Sequence, residues 1–573
     1  MKKLICLCLA LIFAAGCGIL SPNENRNNSD LLYGWFEDYI SAPVGTFCMY
    51  NTADTIPYNM TKRCTARLYT QLLSDGNDGY FYTGNLAASA PVAEDESGTV
   101  WNISLRRGYL WQNGEEITAD DFIYSMMQLL DPKAANSQAS ILSSGAYAPI
   151  KNAKEYFLGK CTWEDVGFKK IDEYTIQLVT EKKVSSELIM RTFETPYTML
   201  VYKPLYEQYR NENGTSAYGT SLESFMSAGP FFLTDWEPDA KYTFTTNPDY
   251  IYADRYSIEG INVSVISNSA TATELFLSGK LDYLSITYAE WEMFEDDPRT
   301  YEYWGNSLQY MFVNLGNPNQ NGLLGNLDFR KALYYGADRV SLAETIGAIP
   351  TTRIAKKAVV GNPDTGTAFV EMEGSKDYID DGYKVYDPVL ANEYLSKAFE
   401  QCKLTNATME IYYSETSTHS KPATEILDSQ YEEVFGGKLN ITLRQVPSSQ
   451  QFSLRRWNPE NPTAFDANIG SITSLNDSPH YTFQYYTSFY SPPRFCYSNP
   501  QFDAIYEQAT ASEDYKEIVS LCQQLEKILL DDMVVVPLYE LPSKALFSQR
   551  IDLPGDGYIN NFGFGYEYAI IAK

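Results

Sequence analysis

The sequence predicts a mixed α/β protein in which strands and helices alternate along the chain. Short segments with an apolar residue at every second position, such as residues 100–105, have the period of half-buried strands. Segments with apolar residues three and four apart, such as residues 122–130, have the period of amphipathic helices. With 573 residues and no internal repeat, the chain is too long for a single compact core, and several domain-sized units are expected.

The first well-defined elements lie between residues 100 and 132. After a strand at 100–105 come turns at Arg107-Gly108 and Asn113-Gly114. Thr118 and Asp121 have the spacing of a capping box and predict the start of a helix. Asp131-Pro132 ends this helix, because proline disfavours helical geometry in the residue before it. The apolar face of the helix is formed by Phe122, Ile123, Met126, Met127 and Leu130.

Later segments continue the alternation. The pattern predicts a strand near 171–178, a hairpin over 228–245, a helix over 271–279 and a strand at 281–284. A helix is predicted from Asp328 to about Arg339, and a second begins with Ser512 as its cap. Cys522 lies on the apolar face of that second helix, and the run 534–536 predicts a strand buried on both faces.

The net charge of −29 argues against nucleic acid as a partner, because an acidic surface repels phosphate backbones. The chain contains 46 tyrosines, whose wide apolar rings and hydroxyls suit a groove for polar ligands. The alternative is that most of these rings lie in ordinary hydrophobic cores.

Catalytic and metal-binding motifs are missing from the sequence. His419 and His480, the two histidines, lie among polar residues and are expected to be solvated. There is no zinc-binding His-Glu-x-x-His helix, nucleophile elbow, Walker loop or Cys-x-x-Cys pair. We therefore expect no cofactor and no metal, and a chain that binds rather than reacts.

The N-terminus has the features of an export signal. Lys2 and Lys3 precede a short apolar run that ends in small residues and Cys17, and the run is too short to span a bilayer. This arrangement resembles the bacterial lipoprotein signal, which implies removal of residues 1–16, lipidation of Cys17 and anchoring to the outer face of the cell membrane. The alternative is an ordinary cleaved signal peptide. Residues 17–30 are polar and are predicted to form a flexible tether.

Six cysteines remain beyond this segment, and an exported location permits disulfides. Sequence alone does not choose among their pairings. Cys48 with Cys64 is the one candidate pair.

Several ordered motifs resemble the oligopeptide-, dipeptide- and nickel-binding family of solute-binding proteins that serve ABC importers. The signature segment runs from Asn102 to Ser140 and includes Ile117-Thr118-Ala119-Asp120-Asp121-Phe122. The later motifs are 167–172, Ala228-Gly229-Pro230-Phe231 with Trp236, Asn314-Leu315, 330–333, 337–339, Phe465-Asp466 before Pro479, and Val536-Pro537-Leu538. The resemblance covers nearly all of the chain after the tether.

The resemblance implies a three-lobed clam of the type II periplasmic-binding-protein kind. Lobe I would consist of residues 31–69, 200–305 and 528–573, lobe II of residues 70–199, and lobe III of residues 306–527. Two crossover strands would form the hinge, and ligand would favour the closed form. A peptide would lie extended between the lobes, held mainly through its backbone, and the membrane subunits of the importer would receive it. The protein is expected to be a monomer.

The expected ligand positions follow from the same resemblance. They are Tyr58, Asn59, Gln138, Tyr310, Ser471, Ile472, Thr473, Leu475 and Asp477. Leu475 stands where oligopeptide-binding relatives carry an aspartate that pairs with the ligand's amine. A leucine cannot stabilise a buried ammonium, although Asp477 offers a carboxylate two residues later. Asp477 could equally be a surface loop acid, and Tyr310 a core ring.

The resulting hypothesis is a lipid-anchored, extracytoplasmic oligopeptide-binding component of an ABC importer. The first alternative keeps the fold but changes the ligand to a non-standard solute or a signalling peptide. The second alternative is a hydrolase, which would need a nucleophile and a base together in the cleft.

Overall fold

A computed structural model describes residues 34–571, apart from 53–54, 77–78, 144–146, 287, 363–365, 376–385, 416, 418, 448–449, 452–453, 455, 473–477, 491–494, 513, 556 and 560–561. Strands and helices alternate throughout this part of the chain, as predicted. None of the helices in these residues is long and apolar enough to cross a membrane.

The strands are short except for the two that connect the main parts of the molecule. They are β1 (Trp35–Ile40), β2 (Tyr69–Leu73), β3 (Tyr80–Gly84), β4 (Val92–Ala93), β5 (Val100–Ser104), β6 (Phe168–Asp172), β7 (Thr175–Val179), β8 (Phe231–Glu237), β9 (Lys241–Thr246), β10 (Gly260–Val265), β11 (Tyr283–Ile286), β12 (Thr300–Val313), β13 (Ile349–Pro350), β14 (Val360–Asn362), β15 (Thr367–Ala368), β16 (Ala407–Ser414), β17 (Leu439–Val446), β18 (Ala467–Ser471), β19 (Val535–Phe547), β20 (Ile551–Asp552) and β21 (Ile570–Ile571).

The α-helices with described bounds are α1 (Thr55–Cys64), α2 (Ala119–Leu129), α3 (Ala153–Phe157), α4 (Ser186–Glu194), α5 (Lys203–Gln208), α6 (Ser269–Leu277), α7 (Asn319–Gly322), α8 (Leu327–Gly336), α9 (Arg339–Ile346), α10 (Pro388–Cys402), α11 (Ser420–Phe435), α12 (His480–Phe483), α13 (Pro500–Ala511) and α14 (Tyr515–Asp531). Short 3-10 turns connect several of them.

Buried apolar side chains divide the molecule into two main bodies. The first body, residues 34–265 and 545–571, has one large core and two four-stranded sheets with the orders β1-β10-β9-β8 and β4-β5-β7-β6. The second body, residues 308–539, is built on β19, β12, β18, β16 and β17 of the sheet β11-β19-β12-β18-β16-β17. Strand β11 pairs with the other end of β19, at Lys544–Phe547. Met311 and Val313 of β12 enter one core and Tyr310 and Phe312 enter another, so this sheet is covered on both faces.

A two-stranded antiparallel ribbon joins the two bodies. Strands β12 and β19 pair from Thr300↔Leu546 to Phe312↔Val535. The first residues of β19 lie in the cores of the second body, whereas Ala545 and Phe547 lie in the core of the first. The register shifts between Trp304 and Leu308 and again after Gln309. The ladder is therefore irregular at the passage from one body to the other.

Several local predictions are confirmed, whereas the predicted cap of α14 is wrong. Helix α2 begins with the predicted capping box, since Asp121 Oδ2 accepts from the Thr118 backbone N–H at 2.9 Å. Residues 534–536 and Cys522 are fully buried, as expected. The cap of α14, however, is Asp514 rather than Ser512, because the Asp514 carboxylate accepts from Lys516 N while Ser512 Oγ donates to Glu517.

The candidate disulfide between Cys48 and Cys64 is also not found, since both residues are free thiols. Cys64 lies at the end of α1 with its Sγ 3.7 Å from the carbonyl oxygens of Met60 and Thr61, so its thiol points back along its own helix. Burial raises the pKa of the Cys64 thiol above its ordinary value and keeps it protonated.

One buried ion pair holds an irregular segment of the second body in place. Arg353 donates from Nε and Nη2 to both carboxylate oxygens of Glu526 on α14, at 3.0 and 2.5 Å. The backbone N–H groups of Ile354 and Ala355 donate to the same carboxylate at 2.9 and 3.1 Å. Arg353 Nη1 donates to Ser375 O at 2.9 Å. Each side chain is less than 5 % exposed.

Candidate functional site

A cluster of tyrosines lies where the two bodies meet. Tyr58 on α1, Tyr147 in the loop before α3 and Tyr197 after α4 belong to the first body, and Tyr481 and Tyr485 belong to the second. The rings of Tyr58 and Tyr197 are 5.2 Å apart. The side chain of Tyr481 packs into the core of the first body, although its chain segment belongs to the second. Burial, followed by the hydroxyls of Tyr58 and Tyr485, raises the pKa of Tyr147 well above its ordinary value.

Arg191 on α4 lies between rings of both bodies. Its guanidinium carbon is 5.2 Å from the ring centroid of Tyr82 and 5.4 Å from that of Tyr481. Glu187, one turn earlier on α4, accepts from Nε and Nη2 at 2.8 and 2.5 Å. Burial opposes the charge, but Tyr82 and Glu187 keep the pKa of Arg191 above its ordinary value. The cation–π contact to Tyr481 is thus a direct link between the bodies.

A second interbody contact lies nearby. Lys182 Nζ is 5.9 Å from the ring centroid of Phe489, which follows the 3-10 turn after α12. Phe489 is an exposed aromatic residue. The bodies therefore touch through cations of the first body and rings of the second.

A polar network connects Arg191 to the interior of the first body. Tyr82 OH is 3.2 Å from Gln71 Nε2, and Lys62 Nζ donates to Gln71 Oε1 at 2.5 Å. Glu194 binds both Lys62 and Arg67 at 3.0 Å. Burial alone would raise the pKa of Glu194, yet Lys62 and Arg67 hold it below its ordinary value.

The expectation that His480 is solvated is wrong, because it is buried at the interbody contact. Its Nδ1 lies 2.9 Å from Ser478 Oγ, and its ring packs against that of Tyr481 with centroids 4.0 Å apart and a tilt of 41°. Burial, and then the charge of Arg191, lower the pKa of His480 to about 3. A neutral imidazole with so low a pKa is a weak base, so the Ser478–His480 pair is a poor nucleophile–base unit.

Three predicted ligand residues lie in the first body. Tyr58 is half-buried in the tyrosine cluster, and Asn59 is exposed beside it on α1. Gln138, in the 3-10 turn 137–142, is half-buried and donates from Nε2 to Thr52 O at 3.1 Å. Tyr58 thus belongs to the tyrosine cluster, and Asn59 is its neighbour on α1. Gln138 lies in the turn that precedes the loop of Tyr147.

The other predicted residues lie in the second body or outside the described residues. Tyr310 is buried in a core and donates from its hydroxyl to Ile354 O at 2.5 Å. Ser471 ends β18 opposite Gln309, and Ile472 is buried in the same core as Tyr310. Cys17, Thr473, Leu475 and Asp477 lie outside the described residues.

Sequence reasoning missed Arg191, His480 and most of the tyrosine cluster. These residues stand in separate segments, and no spacing rule joins positions almost 300 residues apart. The one signal was the excess of tyrosine. Part of that excess lines the interbody contact, and another part fills ordinary cores, as at Tyr218, Tyr242 and Tyr506.

Comparison with known proteins identifies relatives along most of the chain. A family model described as the middle region of bacterial extracellular solute-binding proteins of family 5 matches residues 82–492. A dipeptide-binding protein of Lactococcus lactis is 24% identical over 486 residues, which cover 81% of this chain and 82% of the relative.

Solved structures show the same fold. The substrate-binding domain of an oligopeptide ABC transporter from Bacillus anthracis matches with a TM-score of 0.74 at 21% identity, over 95% of this chain and 100% of that one. A Listeria monocytogenes oligopeptide-binding protein bound to peptide matches with a TM-score of 0.73 at 22% identity, over 94% and 99% of the two chains. The predicted fold of the periplasmic-binding-protein type is thereby confirmed.

Proposed function

This chain belongs to family 5 of the bacterial extracellular solute-binding proteins, and we propose that its ligands are short peptides delivered to an ABC importer. Members of this family are extracytoplasmic binding proteins and not enzymes, so the chain captures a solute without chemistry of its own. The proposal has four parts: the ligand is a peptide, a lipid anchors the protein, the protein is a monomer, and closure delivers the ligand.

The tyrosine cluster between the two bodies carries the proposal. Its rings provide apolar surface, and their hydroxyls can donate and accept hydrogen bonds. An extended peptide offers a backbone donor or acceptor at every residue, so a wall of hydroxyls can hold peptides of varied sequence. Closure around such a ligand would bring Arg191 and Tyr481 into the contact that they make here.

Native mass spectrometry of the purified protein tests the proposal. We expect a ladder of short peptides of mixed sequence to be released on denaturation. Release of a single defined mass would instead support the alternative ligand class, a non-standard solute or one signalling peptide. If no peptide is released and none is captured from a defined mixture, the peptide proposal is wrong.

We also propose the division into lobe I (31–69, 200–305 and 528–573), lobe II (70–199) and lobe III (306–527). The separate cores of the two bodies and the β12–β19 ribbon support the boundary of lobe III. Lobes I and II share one core, and their separate four-stranded sheets support the boundary between them. Limited proteolysis should cut between these lobes before it cuts within them. Cleavage that starts inside a lobe would contradict the boundaries.

For the ligand's amine, we propose Asp477 as the partner in place of the missing aspartate at Leu475. Asp477→Ala should weaken peptides with a free amine by about tenfold or more, because a charged hydrogen bond is lost, and leave N-acetylated peptides nearly unaffected. Isothermal titration with one peptide in both forms measures the difference. Equal weakening of both forms would reject this role.

At the N-terminus, we propose that Cys17 carries the lipid that holds the protein to the cell membrane, with residues 17–30 as the tether. Cys17→Ser should then move the protein from the membrane fraction to the soluble fraction. A variant that stays in the membrane fraction would contradict lipid anchoring at this residue.

A further inference from the structure

The guanidinium of Arg191 has a donor that the described chain leaves unused. Glu187 accepts from Nε and Nη2, but Nη1 has no hydrogen-bond partner among the described residues. Arg191 as a whole is only 9 % exposed. A buried donor without an acceptor is unfavourable, and a charged one more so. This nitrogen can therefore accommodate an acceptor that the described residues do not supply.

The surroundings of Arg191 restrict how such an acceptor can approach. The rings of Tyr82 and Tyr481 cover the guanidinium at 5.2 and 5.4 Å, one from each body. Nη1 itself is buried beside these rings, so a new partner would reach it when the two bodies are apart. Carboxylates bind guanidinium groups in the plane of the group.

The balance of charges around Arg191 also favours a negatively charged ligand group. Three cations, Lys62, Arg67 and Arg191, share two carboxylates in the network described above, those of Glu187 and Glu194. Two hydrogen bonds, from Lys62 to Gln71 and from Gln71 to Tyr82, and the cation–π contact of Tyr82 with Arg191 connect the two ends of this network. The local excess of positive charge stands within a chain whose net charge is −29. This local excess favours a negative group over a neutral one beside Arg191.

We propose that Arg191 is a carboxylate-binding residue of the interbody site and that a carboxylate of the peptide ligand accepts a hydrogen bond from its Nη1. This inference rests on the proposed function, because it names the group by which a peptide would be oriented. The carboxylate has two possible sources, the C-terminus of the peptide or an aspartate or glutamate side chain.

Two synthetic libraries of random tetrapeptides separate these sources. One library has free C-terminal carboxylates, and the other consists of the corresponding C-terminal amides. The purified protein is mixed with equal amounts of both, and captured members are counted by native mass spectrometry. A preference for acids over amides identifies the C-terminus. A preference for acidic over neutral members within the amide library identifies the side chain.

We expect the wild type to show one of these preferences at about tenfold or more, the size of effect expected for a charged hydrogen bond. Arg191→Met should abolish that preference while peptide capture continues. Arg191→Lys should keep part of it, because a point charge replaces the planar fork. The matched control is Arg444→Met, which removes an arginine paired with Glu410 at 2.7 Å on the exposed face of β17 and should leave the preference intact.

Two outcomes would reject the role of Arg191 alone, and one would reject the peptide proposal as well. Capture by the wild type without either preference, or a preference that survives Arg191→Met, rejects the role of Arg191 and leaves the peptide proposal standing. Failure of the wild type to capture any member of either library rejects the peptide proposal itself. If Arg191→Met does not fold, as judged by thermal unfolding, the wild-type preference and its reduction in Arg191→Lys decide the question.

Discussion

Replacement of Glu526 by alanine is expected to destabilise the second body by about 3–5 kcal/mol, the usual cost of removing one partner of a buried ion pair. The variant leaves the guanidinium of Arg353 without its carboxylate in an environment where both side chains are less than 5 % exposed. It also removes the acceptor of the Ile354 and Ala355 backbone N–H groups. Urea unfolding followed by intrinsic fluorescence measures the loss.

Two further variants distinguish loss of the buried ion pair from loss of a carboxylate charge at the surface. Glu425→Ala removes an exposed carboxylate 3.8 Å from Lys421 on α11 and should cost less than about 0.5 kcal/mol. Glu526→Gln keeps an acceptor oxygen and should fall between the two alanine variants. A loss in Glu526→Ala no larger than that in Glu425→Ala would show that the Arg353 segment is held by other contacts.

Acidification is expected to lower the free energy of unfolding through protonation of His480 in the unfolded chain. Its pKa is lowered to about 3 in the folded protein, against 6.5 for an ordinary histidine, so the unfolded chain binds the proton more readily. The neutral form therefore contributes fully above pH 6.5, and its contribution is lost as the pH falls towards 3. At pH 4.5 the loss amounts to about 2–3 kcal/mol, since each pH unit in this range is worth about 1.4 kcal/mol.

The experiment compares the urea midpoints of the wild type and His480→Gln at pH 7 and pH 4.5. The variant cannot titrate, so its midpoint should fall less on acidification than that of the wild type. His419→Gln is the control, because His419 is partly exposed, just before α11. Burial lowers the pKa of His419 as well, so this variant should reduce the acid sensitivity less than His480→Gln does. Equal acid sensitivity in the wild type and His480→Gln would exclude the histidine as the cause.

Local sequence patterns predicted the elements of the fold but little of the site. The capping box at Thr118 and the buried run at 534–536 depend on neighbours within a few residues, and both are confirmed. The family resemblance supplied the architecture, because its motifs are spread over the whole chain.

The missed site residues have a common physical explanation. Whether His480 is solvated depends on Arg191 and Tyr481 meeting across the two bodies. A polar local sequence cannot reveal that contact, since burial of this kind is created by tertiary packing. The same holds for the cap of α14, where two acceptors, Ser512 and Asp514, stand close together and only the backbone geometry selects Asp514.

The β12–β19 ribbon has a thermodynamic consequence for any ligand held between the bodies. Because two strands tether the bodies, the proposed closure would be an intramolecular rearrangement at a high effective concentration, without a second loss of translational freedom. A ligand bound to one body would then gain contacts with the other body for the cost of the hinge motion alone. The observed dissociation constant equals the intrinsic one divided by the fraction of molecules able to close. Substitutions in the ribbon should therefore change affinity by altering that fraction.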